Sequence, residues 1–99
     1  MTKDSPEVLQ RIRDGQSWVE AIAKRLAREW RRTSASDLDD FVADGKAGLL
    51  EVARRYEPEV GVSFRTYATP RIEGAIRDGY AKLSMSRYMA AKLTGGKLS

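Results

Sequence analysis

The segment from Phe64 to Arg77 places two aromatic side chains among three arginines. Aromatic rings beside cationic side chains can stack unpaired nucleic-acid bases, and each stacked base contributes about 1–3 kcal/mol. Arg65, Arg71 and Arg77 can neutralise phosphates. Phe64 and Tyr67 also fit the spacing of a helical core, so packing is the competing interpretation for both, and we favour it for Phe64.

An acidic patch lies in the middle of the chain. Asp37, Asp39, Asp40 and Asp44 crowd the first two turns of a predicted helix, where acids favour the helix dipole. Asp40 and Asp44 are four residues apart, so a metal site is one interpretation. Two carboxylates without a companion acid or histidine are more often a solvated or partner-facing patch. We therefore predict no metal site.

The composition removes most catalytic chemistry. The 99 residues contain no cysteine and no histidine, so thiolate ligands, disulfides and the commonest general base are missing. Gly45-Lys46 lacks the context of a phosphate-binding loop. We predict a protein that is not an enzyme and has no cofactor. No signal peptide and no apolar run of spanning length occur, which predicts a cytoplasmic location.

The net charge of +4 is unevenly distributed. Residues 1–35 carry +3, residues 36–61 carry −4 and residues 62–99 carry +5. Such a chain can offer an acidic surface to one partner and a basic surface to another. Two ordinary solvated helix faces are the alternative, and charge alone favours that alternative.

Helical periodicity without β alternation predicts an all-α fold, a compact bundle of about four helices. Ser5-Pro6-Glu7 starts a short N-terminal helix (residues 1–15) that stops near Gly15. A helical domain follows (16–84), with helices over about 17–32, 37–56 and 63–83, the second capped by Ser36 or Asp37. Pro70 should kink the last helix or displace its start toward Thr69. Residues 85–99 form a basic tail, weakly helical or frayed.

The run from Asp37 to Ile76 reads DLDDFVADGKAGLLEVARRYEPEVGVSFRTYATPRIEGAI. It resembles region 2 of the bacterial sigma-70 family, the promoter-recognition subunits of RNA polymerase. That family's pattern is DL-x-Q-x-G-x-x-GLL-x-A-x-x-(F/Y)-(D/E)-P-x-x-G-x-x-F-x-TYA-x-x-x-I-x-x-x-I. The resemblance covers about half of the chain strongly, through spaced glycine, proline and aromatic positions.

The resemblance implies a docking surface for core RNA polymerase, namely for a coiled coil of its largest subunit. An acidic patch facing a basic coiled coil gives orientation and association rate more than affinity. Ala43 replaces a usual glutamine and Lys46 a usual asparagine, which bears on the strength of docking rather than its geometry. Carried over by position, the surface comprises Asp37, Asp40, Asp44, Lys46 and Leu50.

The resemblance also implies a pocket for a flipped adenine of the −10 promoter element, held on the single-stranded non-template strand. Pro70 and Arg71 stand where housekeeping members carry a tryptophan pair, which implies an alternative sigma factor. Gly74 and Arg77 occupy the positions that read the −12 position of the promoter in the family, and Glu73 replaces a common basic residue. The chain should therefore read the promoter sequence at −12 differently. The implied DNA-binding residues are Tyr56, Glu57, Phe64, Arg65, Thr66, Tyr67, Arg71 and Arg77.

A complete sigma factor continues into further helical regions, including a helix-turn-helix that reads the −35 element. This sequence is therefore an excised domain or a short stand-alone protein, and its Met1 start favours the second. A stand-alone protein would need a second protein that supplies −35 recognition. The first hypothesis is a transcription initiation factor. The second is a sigma mimic that occupies polymerase or an anti-sigma factor, and the third is a generic helical DNA-binding module.

Overall fold

The computed structural model describes residues 4–93, which form three α-helices and one short 3₁₀ helix. The helices are α1 (Pro6–Glu29), α2 (Ala35–Arg55) and α3 (Phe64–Leu93), with the 3₁₀ helix at Pro58–Val60. No strand occurs in this range, so the all-α prediction is confirmed, whereas about four helices was one too many. Residues 1–3 and 94–99, with the predicted Gly95-Gly96 end of the tail, lie outside the described residues.

Helix α1 runs without interruption through Gly15, so the predicted helix end there is wrong. The helix begins as expected, because Ser5 accepts a hydrogen bond from the Val8 N–H (3.3 Å) and Pro6 takes the first helical position. Gly15 is buried, and a Cβ at this position would collide with the Leu49 side chain of α2. The glycine permits a close approach of two helices rather than ending one.

The chain leaves α1 at Glu29, three residues before the predicted end. Arg31 adopts a left-handed backbone (φ 56°). The Arg32 N–H then bonds back to the Ala27 carbonyl (2.8 Å), and the Arg31 N–H bonds to the Arg28 carbonyl (3.2 Å). These two bonds form a Schellman turn, which satisfies carbonyls of the last helical turn.

Helix α2 is capped by Ser34, whose hydroxyl accepts a bond from the Asp37 N–H (3.1 Å), and not by Ser36 or Asp37 as predicted. Gly45 and Gly48 allow close packing, as expected from the sequence. A Cβ at Gly45 would lie 2.8 Å from Val19 of α1, and one at Gly48 would lie 2.8 Å from Ala75 of α3. Helix α2 therefore lies between the other two helices and packs against both.

Helix α3 is continuous through Pro70, with Ser63 capping its start through the Thr66 N–H (3.1 Å). The predicted displacement of the start toward Thr69 is wrong. Pro70 lies in the second turn, and the Thr66 residue whose carbonyl loses its helical partner is exposed to solvent. The predicted end near Leu83 is also wrong, because the helix continues to Leu93. Residues 84–93 contain no glycine or proline and are rich in good helix formers.

The core lies where the three helices meet, and its largest fully buried side chains are Phe41, Leu26, Leu49, Ile72, Ile76, Val19 and Val52. The N-terminal segment is tied to the end of α2 by two arginines. Arg54 forms a two-bond ion pair with Asp4 (2.9 and 3.1 Å), and Arg11 donates to the Ala53 carbonyl (3.0 Å). Over residues 4–93, no helix is both long enough and apolar enough to cross a membrane.

Candidate nucleic-acid interface

Four aromatic side chains from α1, α3 and the end of α2 meet at one end of the bundle. The Phe64 ring centroid lies 5.7 Å from that of Trp18 and 5.3 Å from that of Tyr56. The Tyr56 centroid lies 5.4 Å from that of Tyr67. We call Trp18, Tyr56, Phe64 and Tyr67 the first aromatic cluster. Each of the four is only partly buried, so the cluster packs on the core and also reaches the surface.

Three arginines place their guanidinium groups over rings of this cluster. Arg71 lies 4.1 Å from the Tyr67 centroid, Arg11 lies 5.0 Å from Tyr56, and Arg65 lies 5.4 Å from Trp18. Each distance is within the range of a cation–π contact. The sequence prediction named Arg65 and Arg71 here. Arg71 lies over the predicted Tyr67, whereas Arg65 lies over Trp18, which was not predicted.

Sequence reasoning missed Arg11 and Trp18. The two residues are seven apart, a spacing that places side chains on the same face of one helix. The predicted break at Gly15 separated them into different helices and hid that spacing. In the structure α1 is continuous, so one helix carries both side chains to the first aromatic cluster.

Two other predicted pocket residues, Tyr56 and Thr66, also form hydrogen bonds within the loop and at the start of α3. The Tyr56 hydroxyl donates to the Val62 carbonyl (2.5 Å) across the loop between α2 and α3. Thr66 accepts a bond from the Ser63 hydroxyl (2.9 Å) at the start of α3. Glu57 is exposed at the start of the 3₁₀ helix. These contacts hold the loop at the rim of the cluster.

Arg77 lies away from the first cluster, at a second group of aromatic side chains. Trp30 stacks on Tyr80 with ring centroids 4.9 Å apart, and Phe41 meets both rings edge-on at 5.4 and 5.7 Å. We call Trp30, Phe41 and Tyr80 the second aromatic cluster. The Arg77 guanidinium lies 5.7 Å from the Trp30 centroid. The structure therefore divides the predicted DNA-binding residues between two places.

Glu73, which replaces a basic residue of the family pattern, is held in an ion pair. Its carboxylate contacts Arg25 of α1, which also contacts Glu29 at 3.3 Å. The hydrogen bond to Glu73 is the main cause of a raised pKa for Arg25, with a smaller contribution from Glu29. The negative charge of Glu73 is therefore compensated by a partner on the neighbouring helix.

The predicted polymerase-binding residues lie along the side of α2 that faces away from the core. Asp40, Ala43 and Lys46 are exposed, while Asp37, Asp44 and Leu50 are half-buried. Ala43 lies between two grooves. One is lined by residues of α1 and α2, including Glu20 and Lys46, and the other by residues of α2 and α3, including Asp44 and Lys82. Lys46 and Asp44 thus border opposite grooves.

Asp44 lies against the backbone of α3. A Cβ at Gly79 would collide with its carboxylate, so the glycine makes room for the acid. Burial raises the pKa of Asp44, the neighbouring Asp40 raises it further, and Lys82 acts in the opposite direction. Within the part of the chain that the structure describes, no group of three or more His, Cys, Asp or Glu could hold a metal ion.

The model of the sigma-70 region 2 family matches residues 11–85 of this chain. This chain belongs to the sigma-70 region 2 family. The matched residues contain every predicted site residue, and they also contain Arg11 and Trp18 of the first aromatic cluster. The region 2 match ends inside α3, whose last residues from Ser86 to Leu93 lie beyond it.

Relatives of this region 2 chain are similar to slightly less than two thirds of it. It is 38% identical over 63 residues to RNA polymerase sigma factor FliA of Pseudomonas aeruginosa, covering 62% of this chain and 26% of the relative. It is 39% identical over 64 residues to RNA polymerase sigma factor FliA of Escherichia coli K12, covering 64% and 27%. The chain spans about a quarter of the length of these relatives. No solved structure matches the chain significantly.

Proposed function

We propose that this chain acts in transcription initiation as the region 2 module of an alternative sigma factor. In this function it binds core RNA polymerase and holds the single-stranded non-template strand of the −10 promoter element. It carries out no catalysis of its own. The single observation that carries the proposal is the first aromatic cluster with its three arginines, because aromatic rings beside cations suit unpaired bases and their phosphates.

Two features support a base-binding role for the cluster beyond family membership. Tyr67 and Tyr56 are half-buried rings held by neighbours, Tyr56 by its bond to the Val62 carbonyl and Tyr67 by its contacts with Arg71 and Tyr56. A fixed ring loses little conformational freedom when a base stacks on it. Arg65 and Arg71 are exposed, so phosphates of a bound strand can reach their guanidinium groups.

The solvent side of α2 is the proposed contact with polymerase. Asp40 offers an exposed carboxylate there, and Ala43 leaves a shallow surface between the two flanking grooves. A basic helix of the partner can lie over such a surface, with its side chains in the grooves. The pairing would guide association and orientation.

One observation favours the second candidate, a sigma mimic that binds polymerase without holding DNA. Arg71 lies over Tyr67 at 4.1 Å and also donates to the Tyr67 carbonyl (3.3 Å). The arginine covers the ring face that a base would use. In a mimic this contact would persist when polymerase is bound.

Fluorescence anisotropy with a labelled single-stranded −10 oligonucleotide separates the two candidates. We expect the complex of this chain with core polymerase to bind the −10 sequence more tightly than a scrambled strand of equal length. Binding of polymerase without any preference for the −10 strand would support the mimic. Failure to bind polymerase would reject the initiation factor and would leave only a mimic that occupies an anti-sigma factor. Reconstituted transcription, with and without a second polypeptide that reads the −35 element, then tests initiation itself.

A further inference from the structure

Four large apolar side chains lie on the surface of the last turns of α3. Met85, Tyr88, Met89 and Leu93 are 61, 47, 48 and 83% exposed. Steps of three and four residues place all four on one side of the helix. We call these four residues the tail stripe. Apolar side chains grouped in this way on a surface mark a contact with another molecule.

The tail stripe faces away from the core of the bundle. Ile72 and Ile76 of α3 are fully buried against the other helices. Met85 follows Ile76 by nine residues, which is about two and a half helical turns, so it lies on the opposite side of α3. The tail stripe is therefore a separate apolar surface and not an exposed edge of the core.

Helix α3 also extends past the end of its neighbour. Gly79 lies against Asp44 of α2, and the two helices run in opposite directions. Nine residues separate Asp44 from the start of α2 at Ala35, so α3 passes beyond that start about nine residues after Gly79, near Tyr88. The end of α3 is therefore open to a partner from several sides.

The tail stripe is bordered by positive charge alone. Arg87 and Lys92 are exposed, and the Lys92 ammonium lies 5.8 Å from the Tyr88 ring centroid. Residues 79–93 contain no Asp or Glu. Within the described part of the chain, no ion pair engages Arg87 or Lys92. A ligand that complements this surface must combine apolar groups with negative charge.

We propose that the tail stripe is a docking site for an acidic amphipathic helix of a partner polypeptide. Apolar side chains of that helix pack on Met85, Met89 and Leu93, and carboxylates at its edges pair with Arg87 and Lys92. Methionine suits such a contact because its flexible side chain adapts to the shape of a partner. The proposal goes beyond the proposed function, since it uses neither the first aromatic cluster nor the α2 surface. Apart from Met85, the tail stripe also lies beyond the region 2 match.

Other occupants fit the tail stripe less well. Two paired copies of the chain would bring together Arg87 and Lys92 of both copies, and like charges oppose such a contact. A lipid surface binds in proportion to the apolar area it buries, and the tail stripe runs for only about 12 Å, eight residues at 1.5 Å each. Two crossed helices meet over a length of this size. A nucleic acid would meet the charges but would leave Met89 and Leu93 without apolar partners.

The test is fluorescence anisotropy of the full chain with a labelled synthetic helical peptide of three heptads. The acidic peptide carries Leu at the first and fourth positions of each heptad and Glu beside them, and the basic peptide carries Lys in place of Glu. We expect the chain to bind the acidic peptide and not the basic one. Absence of binding to the acidic peptide would overturn the proposal.

Two double variants test the apolar contact. Met89→Gln/Leu93→Gln should weaken binding of the acidic peptide about tenfold or more, because it removes two central apolar anchors. The matched control is Leu9→Gln/Val60→Gln, which changes two exposed apolar residues elsewhere and should bind like wild type. Equal losses in both would overturn the docking site. If circular dichroism shows that Met89→Gln/Leu93→Gln has lost helicity, Met85→Gln alone must weaken binding.

A charge reversal tests the acidic character of the partner. Arg87→Glu/Lys92→Glu should lose the acidic peptide and gain the basic one, because the charges at the edges of the tail stripe change sign. Loss of the acidic peptide in this variant, with full binding by Met89→Gln/Leu93→Gln, would indicate diffuse charge attraction and reject the docking site.

The remaining occupants are outcomes of two parallel measurements. Sedimentation of the full chain that shows a dimer, which Met89→Gln/Leu93→Gln converts to a monomer, would assign the tail stripe to a second copy and overturn the proposal. Tighter binding to phosphatidylglycerol vesicles than to the acidic peptide, lost in the same variant, would overturn it in favour of a lipid surface. Neither polymerase nor promoter DNA is present in these experiments, so their results are independent of the proposed function.

Discussion

The guanidinium of Arg71 lies 4.1 Å from the centroid of the Tyr67 ring, one helical turn away on α3. Tyr56 approaches the same ring at a tilt of 53°, so Tyr67 contacts both a cation and a second aromatic side chain. A base that stacks on Tyr67 from the arginine side must displace Arg71. The displaced guanidinium would then be free to meet the phosphate of that nucleotide, which couples base capture to backbone binding.

The first prediction concerns that ring. Tyr67→Ala should weaken binding of single-stranded −10 DNA by about 1–3 kcal/mol, because one base stack is lost. Fluorescence anisotropy with the labelled strand measures the loss. Binding of duplex DNA should change far less, since it depends on phosphate contacts.

Two further variants control this measurement. Tyr67→Phe keeps the ring and should bind the single strand nearly as well as wild type. Tyr88→Ala removes an exposed tyrosine from the far end of α3 and should have no effect. An equal loss on every DNA, or a lowered melting temperature, would instead assign Tyr67 to packing alone.

The second prediction concerns docking on polymerase. Asp40→Lys/Asp44→Lys should weaken binding to core polymerase, because the two substitutions reverse the charge of the α2 surface. Asp14→Lys/Glu59→Lys makes the same change in charge on exposed residues elsewhere and should bind like wild type. Surface plasmon resonance gives the affinity, and circular dichroism must show equal helicity. Identical binding by both double variants would reject the α2 surface.

The third prediction compares two helical glycines. Gly15→Ala should destabilise the fold by about 1–3 kcal/mol, because its Cβ would collide with Leu49 and force the two helices apart. Gly74→Ala meets nothing within 4 Å and should stabilise the fold by up to about 1 kcal/mol through helix propensity. Urea denaturation measures both. A stable Gly15→Ala variant would mean that α1 does not pack as closely on α2.

The fourth prediction concerns pH. Folding raises the pKa of Asp44 through burial and through Asp40, so the folded state holds the Asp44 proton more tightly than the unfolded state does. The associated stability is fully present below the ordinary carboxyl value of 3.8 and is lost as the pH rises through the raised pKa. Charged Asp44 therefore costs stability at neutral pH.

Asp44→Asn should consequently be more stable than wild type at neutral pH. Its advantage should shrink as the pH falls toward 3.8. Urea denaturation across that interval gives the free energy of unfolding of both proteins. A difference that stays constant with pH would mean that the Asp44 proton is held equally in the folded and unfolded states.

The periodicity of apolar residues predicted the helical class and most of the buried core correctly, because the buried side chains of α2 recur at helical spacing. It failed at Gly15. A glycine can end a helix or permit a close approach between helices, and only the position of Leu49 on another helix decides between them. The periodicity also placed the end of α3 too early, because the exposed residues after Leu83 lack an apolar stripe facing the core. Their helix propensity nevertheless keeps these residues helical.

The candidate site was predicted only in part, and the missing part has a similar cause. The motif after Tyr56 located the residues of α3, but the partners from α1 depend on how two helices cross. Trp18 and Arg11 meet Tyr56 and Phe64 only after the bundle forms. The stacking of Trp30 on Tyr80 likewise joins residues fifty positions apart in the chain, which no local pattern contains.

The Asp4–Arg54 ion pair has a practical consequence for fragment design. Sequence similarity begins at residue 11, and a fragment cut there would keep the whole family motif. It would lose the Asp4 carboxylate bound by Arg54 and the Ser5 hydroxyl that caps α1. Arg54 lies two residues before Tyr56, so the cut would loosen the backbone that holds a proposed base-stacking ring. Fragments for binding studies should therefore begin before Asp4 and carry any affinity tag through a flexible spacer.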